Sequence, residues 1–274
     1  VRTHTVTGHG GVRLHVRDTG PEDATAIMLI HGWSQHHLCW SKQMKGPLAE
    51  RFRLVAPDLR GHGASDKPEP PVGYETSEPW AGDVAAIIGT LGLRKPILVG
   101  WSMGGWVIGD YLRHHGGGAL GGVAFVGSRL IPVPGVKLRP EAAAEGMYSE
   151  DQPTALAACI DFVKACFAAP LSKRDLALMV GFNMLVDPRV RHACRTRGED
   201  YSAELAGITV PVMLIQGAAE RVCLTPFFEA LTIALPEAEA HVYPGCGHGP
   251  FWENPERFNA DLAAFAERAF RTAT

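Results

Sequence analysis

The residues with the most evident chemical potential are five in a row, Gly100-Trp101-Ser102-Met103-Gly104. They follow the apolar run Pro-Ile-Leu-Val and precede a helix-like stretch, so the expected context is strand, sharp turn, helix. A G-x-S-x-G pattern in that context is a nucleophile elbow. The glycines are needed because the helix backbone passes so close to the strand that a Cβ at either flank would clash. The serine is held in a strained conformation, its hydroxyl raised above the strand end.

A serine hydroxyl needs a base to become a useful nucleophile. Of twelve histidines, His248 has the best position. It sits in the loop Tyr243-Pro-Gly-Cys-Gly-His-Gly-Pro-Phe, after a predicted strand AHVY and before the last helix. Open parallel sheets place their sites at strand C-termini, the edge that also carries Ser102. His114 and His115 read as surface residues of a helix, and His241 as a structural residue within a strand. The base in turn needs an acid that orients the imidazole and stabilises its charged form. The loop after the run at 212–215 reads Gly217-Ala-Ala-Glu-Arg-Val-Cys, and Glu220 is its only acid. The loop Gly127-Ser-Arg-Leu, the other common position, offers no carboxylate. An ion pair with Arg221 or Arg189 is the competing role for Glu220. Acyl transfer also needs donors for the developing oxyanion. The expected pair is the backbone N–H of Met103, just after the nucleophile, and that of Trp33 in His31-Gly32-Trp33. His31 reads as a residue that pins this loop by hydrogen bonding.

These residues need a scaffold that gathers them. Apolar runs at 26–30, 53–56, 97–99, 123–126 and 212–215 are continuous rather than alternating, as in parallel strands covered on both faces. Amphipathic helices lie between them. Val84, Ile87, Ile88 and Leu91 share one helical face. Near the end, Asn254 is an expected N-cap and Pro255 the first helical residue, followed by a stripe of Phe258, Leu262 and Phe265. This alternation predicts a mostly parallel α/β sheet with right-handed crossovers, entered through an antiparallel hairpin, HTVTG and VRLHVRD. Residues 130–207 break the pattern. They open on a proline-rich turn and carry helical stripes only, one of them Leu156, Cys159, Ile160, Val163, Cys166 and Phe167 and a second at 176–185. The expected organisation is a core of residues 1–129 and 208–274 with a helical cap of 130–207 over it. The cap cluster Arg189, Arg191, Arg195 and Arg197 reads as a solvated helix face.

The bulk properties agree with a globular enzyme. The 274 residues are 46% hydrophobic and 20% charged, with a net charge of −3. Without a basic face, nucleic acid and anionic membrane are not expected partners. The opening VRTHTVTGHGG lacks the apolar core of a signal peptide, and no run reaches the length of a transmembrane helix. Six cysteines without a C-x-x-C pair read as free thiols. A soluble, cytoplasmic protein is expected, its oligomeric state open.

His31-Gly32-Trp33, Asp58-Leu-Arg-Gly-His-Gly-Ala-Ser-Asp66, Gly100-Trp-Ser-Met-Gly-Gly105 and Gly247-His248 occur in that order. Together they resemble the α/β-hydrolase superfamily, in the serine hydrolase branch with a helical cap after the sixth strand, over essentially the whole chain. The resemblance implies the α/β-hydrolase fold, an acyl-enzyme mechanism and no metal or organic cofactor. It makes the Asp58–Asp66 stretch a structural turn. Most relatives would carry Asp where Glu220 stands. The Ser–Glu–His set and the Gly247-to-Phe258 ending are similar to α/β-hydrolase-type N-acyl-homoserine lactonases, while the N-terminal half is equally close to carboxylesterases. Aspartate-dependent relatives, haloalkane dehalogenases and epoxide hydrolases, are set aside by Ser102.

For the substrate, Trp101, Trp106 and Phe251 beside the catalytic loops and Phe162 and Phe182 from the cap are expected to line an apolar pocket. Three functions follow. The first is hydrolysis of a small apolar ester or lactone. The second is perhydrolysis, haloperoxidase-like chemistry or C–C bond hydrolysis with the same triad. The third is a hydrolase-fold receptor that binds a ligand without useful turnover.

Overall fold

The structure is a computed structural model that describes residues 1–136, 145–197 and 200–273. Its centre is an eight-stranded sheet in the order β1-β2-β4-β3-β5-β6-β7-β8. The strands are β1 (Arg2–Thr7), β2 (Arg13–Thr19), β3 (Ala26–Ile30), β4 (Arg53–Pro57), β5 (Ile97–Trp101), β6 (Gly122–Val126), β7 (Val212–Gly217) and β8 (Glu239–Tyr243). β1 and β2 form the expected antiparallel hairpin, β2 joins β4 antiparallel, and all further pairs are parallel. The inner strands β3, β5, β6 and β7 are buried at every residue, whereas the edge strand β8 alternates. That contrast follows from covering: only strands with helices on both faces lose all contact with water.

The longer helices are α1 (Ser77–Thr90), α2 (Met103–His115), α3 (Gln152–Ala165), α4 (Lys173–Met184), α5 (Pro188–Arg195), α6 (Thr225–Ala234) and α7 (Pro255–Ala273). Two apolar clusters flank the sheet. One joins Met28, Leu98, Val123 and Leu214 to Val84, Ile108 and Leu112, and the other joins Leu29, Val99, Ala124 and Ile215 to Phe258, Leu262 and Phe265. The predicted cap of the last helix is present, with Asn254 Oδ1 accepting the Arg257 N–H at 3.3 Å. No helix among the described residues is long and apolar enough to cross a membrane.

Between β6 and β7 the described chain is helical, with α3, α4 and α5 in sequence. The expected boundaries, 130–207, include residues 137–144 and 198–199, which lie outside the described residues. Asp151 and Asp187 cap α3 and α5, each followed by a proline in the first turn.

Two expectations for this insertion need correction. The basic cluster is a solvated face only in part: Arg189 is exposed, but Arg191 and Arg197 are buried, at 1% and 7% exposure. Arg197 makes a buried ion pair with Asp110 of α2 and a 3.0 Å hydrogen bond to the Tyr201 hydroxyl. Arg191 donates to the carbonyls of Met147 and Asn183 at 2.6 and 2.7 Å. Each guanidinium satisfies acceptors that water cannot reach, as burial demands. The stripes are also narrower than the spacing suggested. Cys159, Val163 and Cys166 are buried, but Leu156, Leu178 and Leu185 are 42%, 38% and 58% exposed.

Candidate active site

The elbow forms as the glycine spacing requires. Ser102 lies between β5 and α2 with φ 55°, a left-handed conformation costly for a residue with a side chain. The surroundings leave no alternative. A Cβ on Gly100 would fall 2.4 Å from the Gly104 carbonyl oxygen, and one on Gly104 would fall 2.4 Å from that of Ile30. The Ser102 N–H donates to Val126 O at 2.8 Å, so the strained residue is tied to the neighbouring strand.

His248 and Glu220 arrive on the loops after β8 and β7. Glu220 Oε2 lies 2.6 Å from His248 Nδ1, and both side chains are buried, at 0% and 1% exposure. The second carboxylate oxygen, Oε1, accepts the Val222 N–H at 2.6 Å. The competing role for Glu220 is not realised. Arg221 donates to the Phe167 and Lys164 carbonyls, and Arg189 pairs with Asp187 and Glu69. A carboxylate at Nδ1 favours the tautomer with its proton there, which leaves Nε2 as the acceptor nitrogen. Among the described residues neither Ser102 Oγ nor His248 Nε2 has a hydrogen-bond partner, so the candidate nucleophile and the candidate base are not bonded to each other here. Such bonds commonly close only when substrate arrives.

The loop His31-Gly32-Trp33, the candidate oxyanion loop, lies against the elbow. A Cβ on Gly32 would sit 3.3 Å from Ser102 Cβ. Among the described residues the backbone N–H groups of Trp33 and Met103 donate to no acceptor; Met103 opens α2, where helix N–H groups lack intrahelical partners. His31 pins the loop with both ring nitrogens: Nδ1 lies 2.9 Å from Gly32 O, and Nε2 accepts the Leu59 N–H at 3.0 Å. Complete burial, with His62 alongside, holds its pKa well below the ordinary histidine value.

Next to it, Asp58 braces the same loop. Its carboxylate accepts from the N–H and Nδ1 of His37, both at 2.9 Å, and from the Ala64 N–H at 3.0 Å. Burial alone would raise the pKa of Asp58, but the His37 hydrogen bond and the nearby imidazoles lower it. His15, His37 and Asp58 place their potential ligand atoms within 4.8 Å of one another, a set that could hold a metal ion. The hydrogen bonds just given account for how this group is arranged. Asp66 pairs with Arg13 at 3.0 Å, away from the triad residues.

The aromatic residues divide into two groups. Trp101 and Phe251, expected in the pocket wall, are core: Trp101 meets Phe251 edge-on at 4.9 Å, and Phe251 packs on Trp40 at 4.2 Å. Trp101 has a positioning role that the sequence reading did not assign, since its indole N–H donates to His248 O at 2.8 Å. Phe162 stands edge-on to Trp33 at 5.3 Å, and Tyr148 does so at 6.1 Å. Phe182 stacks on His36 at 5.5 Å, and Trp106 donates to Arg129 O at 2.7 Å. The aromatic face beside the oxyanion loop is therefore built from Trp33, Tyr148 and Phe162. A groove of about 680 Å³ at the opposite end of the sheet, bordered by Leu120, Val210 and Leu235, contains none of these residues.

Gly127 was also missed. It follows β6 directly with φ 53°, and a Cβ there would fall 2.9 Å from His248 Nδ1 and 3.3 Å from Glu220 Oε2. The loop after β6 matters here because its first residue carries no side chain.

With fold and site in view, the chain is a member of the alpha/beta hydrolase family, whose sequence profile matches residues 27–261. Two similar solved structures are esterases or proposed esterases. A proposed aryl esterase from Burkholderia cenocepacia superposes with a TM-score of 0.94 at 34% identity, covering 98% of this chain and 100% of that one. An esterase from a Rhodococcus species gives 0.90 at 35% identity, covering 97% and 99%. Among sequence relatives, a non-heme chloroperoxidase of Streptomyces lividans is 28% identical over 96% of this chain and 99% of its own.

Proposed function

We propose that this hydrolase is a carboxylic ester hydrolase that works through a Ser102–His248–Glu220 triad and an acyl-enzyme. The observation that carries the reading is the buried 2.6 Å contact of Glu220 with His248 beside a serine held at positive φ. Ser102 Oγ attacks the acyl carbon as its proton passes to His248 Nε2, and Glu220 stabilises the resulting imidazolium. The Trp33 and Met103 N–H groups receive the oxyanion. The proton then goes to the departing alkoxide, leaving an ester on Ser102. Water, deprotonated by His248, cleaves that ester to the acid. No step requires a metal or an organic cofactor.

The insertion 130–207, whose described part is helical, acts as the cap. Trp33, Tyr148 and Phe162 make the adjoining wall aromatic, which favours a small apolar or aryl ester. A lactone is an internal ester and is open to the same attack. Six free, buried cysteines suit a reducing, cytoplasmic setting.

The test is a matched panel of p-nitrophenyl esters and acyl-homoserine lactones, with wild type and Ser102→Ala. Ser102-dependent ester turnover is expected, and loss of at least about 10⁴-fold in the variant. Ester turnover that survives the substitution would remove the reading. A second reading, perhydrolysis, is favoured by the similarity to a chloroperoxidase. Ser102-dependent bromination of monochlorodimedone in acetate and peroxide, faster than ester hydrolysis, would place it first.

A further inference from the structure

The turn that ends α3, residues 164–169, is gripped from two sides by residues adjoining the acid and the base. Glu253, in the short helix Pro250–Glu253 after His248, is bonded through both carboxylate oxygens. Oε2 accepts the Gly247 N–H at 2.6 Å, and Oε1 accepts the N–H groups of Ala168 and Ala169 at 2.7 and 3.1 Å. One side chain thus ties the residue before the base to the cap. On the other side Arg221, which follows the acid, donates to Phe167 O and to Lys164 O. The charges match the backbone they meet. A guanidinium sits on carbonyls at a helix C-terminus, and a carboxylate on the N–H groups just beyond. The surfaces are also in direct contact: a Cβ on Gly247 would fall 2.9 Å from Ala168 N, and one on Gly249 would fall 2.6 Å from the Phe167 ring. Glycines on both sides of His248 let the loop lie flat against this turn.

We infer that Glu253 is a positioning residue that locks the His248 loop to the cap, with Arg221 completing the lock on the acid side, so that cap placement sets the alignment of base and nucleophile. The inference rests on the proposed triad. It predicts that the isosteric Glu253→Gln fails, because an NH₂ group would face N–H donors. Loss of alignment acts on the chemical step, so kcat for a short acetate ester should fall about tenfold or more while KM stays within about twofold.

The experiment combines three readouts on the full chain: ester kinetics, the rate of covalent labelling by a fluorophosphonate, and backbone hydrogen exchange. For Glu253→Gln we expect slower labelling, a lowered kcat, and faster exchange at Ala168, Ala169 and Gly247 together, with the melting temperature little changed. Arg221→Gln should give the same pattern more weakly, and the double variant should lose less than the product of the two. Exchange that rises at those amides while kcat and labelling stay within twofold of wild type would overturn the inference and leave Glu253 a stabilising residue. Unchanged exchange would overturn it as well. Failure of the triad itself looks different: Ser102→Ala would then be labelled as fast as wild type, while the exchange data would still decide whether the lock exists.

Discussion

The turns after β3 and β4, which carry His31 and His62, and the loop that carries His248 use the same side chain in opposite ways. Like His31, His62 has both nitrogens engaged by backbone: Nδ1 lies 2.9 Å from Arg60 O, and Nε2 accepts the Ser34 N–H at 3.2 Å. Such an imidazole is a spacer between two strand ends. It stays neutral because burial disfavours its charged form, which pushes the pKa of His62 down to about 4. His248 has one nitrogen on a carboxylate and the other without a hydrogen-bond partner among the described residues. Burial and loop position are shared by all three residues, so neither marks a base. The bonding of the two nitrogens is what separates His248 from the other two.

The largest break in this comparison comes from converting the catalytic arrangement into the structural one. Glu220→Ala leaves Nδ1 without its carboxylate, and kcat should fall about 10³–10⁴-fold with little change in the circular dichroism spectrum. Near-wild-type turnover would remove Glu220 from the triad.

Acid tests the structural histidines. His36 and His62 both have folded pKa values of about 4, in each case chiefly through burial, against an ordinary 6.5. Between those values the unfolded chain binds more protons than the folded one, so stability falls as pH drops from 6.5 toward 4. Urea unfolding should show a loss on the order of 2 kcal/mol between pH 7 and pH 5.5. His62→Gln should flatten that dependence, and an unchanged slope would show that His62 is not held neutral. Asp58 contributes in the other window, since its lowered pKa adds stability that is lost only below the ordinary carboxylate range.

The smallest change sharpens the comparison from the catalytic side. Gly127→Ala adds one methyl at positive φ and aims it at His248. We expect about 1–2 kcal/mol of destabilisation from the backbone and a roughly tenfold lower kcat from displacement of the ring. A loss of stability with full activity would mean that the ring tolerates the contact.

Much of the site was legible because its determinants are local. Gly100, Gly104 and the apolar run before them encode the elbow within a few residues, and Asn254-Pro255 encodes a helix start in two. The order of loops along the chain was enough to nominate His248 and Glu220 as a pair, and their side chains meet at 2.6 Å. The pocket aromatics were less legible. Trp101 and Phe251 flank the catalytic loops in sequence yet face the core, because neighbouring residues in a turn point in different directions. Arg191 and Arg197 looked like solvent-facing charge, since their acceptors at Met147, Asn183 and Asp110 are remote in sequence.

By itself, then, the sequence determined the strand and helix pattern, the elbow and the candidates for nucleophile, base and acid. These follow from backbone sterics, from hydrophobic periodicity and from which residue types can do which chemistry. Only the tertiary structure decided which histidines spend both nitrogens on backbone, which aromatics meet at the oxyanion loop, and that Glu253 and Arg221 hold one cap turn between them. Each of these arrangements includes a contact between residues tens of positions apart, even where a second bond is local, as for His31 Nδ1 with Gly32 O and His62 Nδ1 with Arg60 O. Their partners are chosen by how sheet, loops and insertion pack in three dimensions, and no local spacing records that choice.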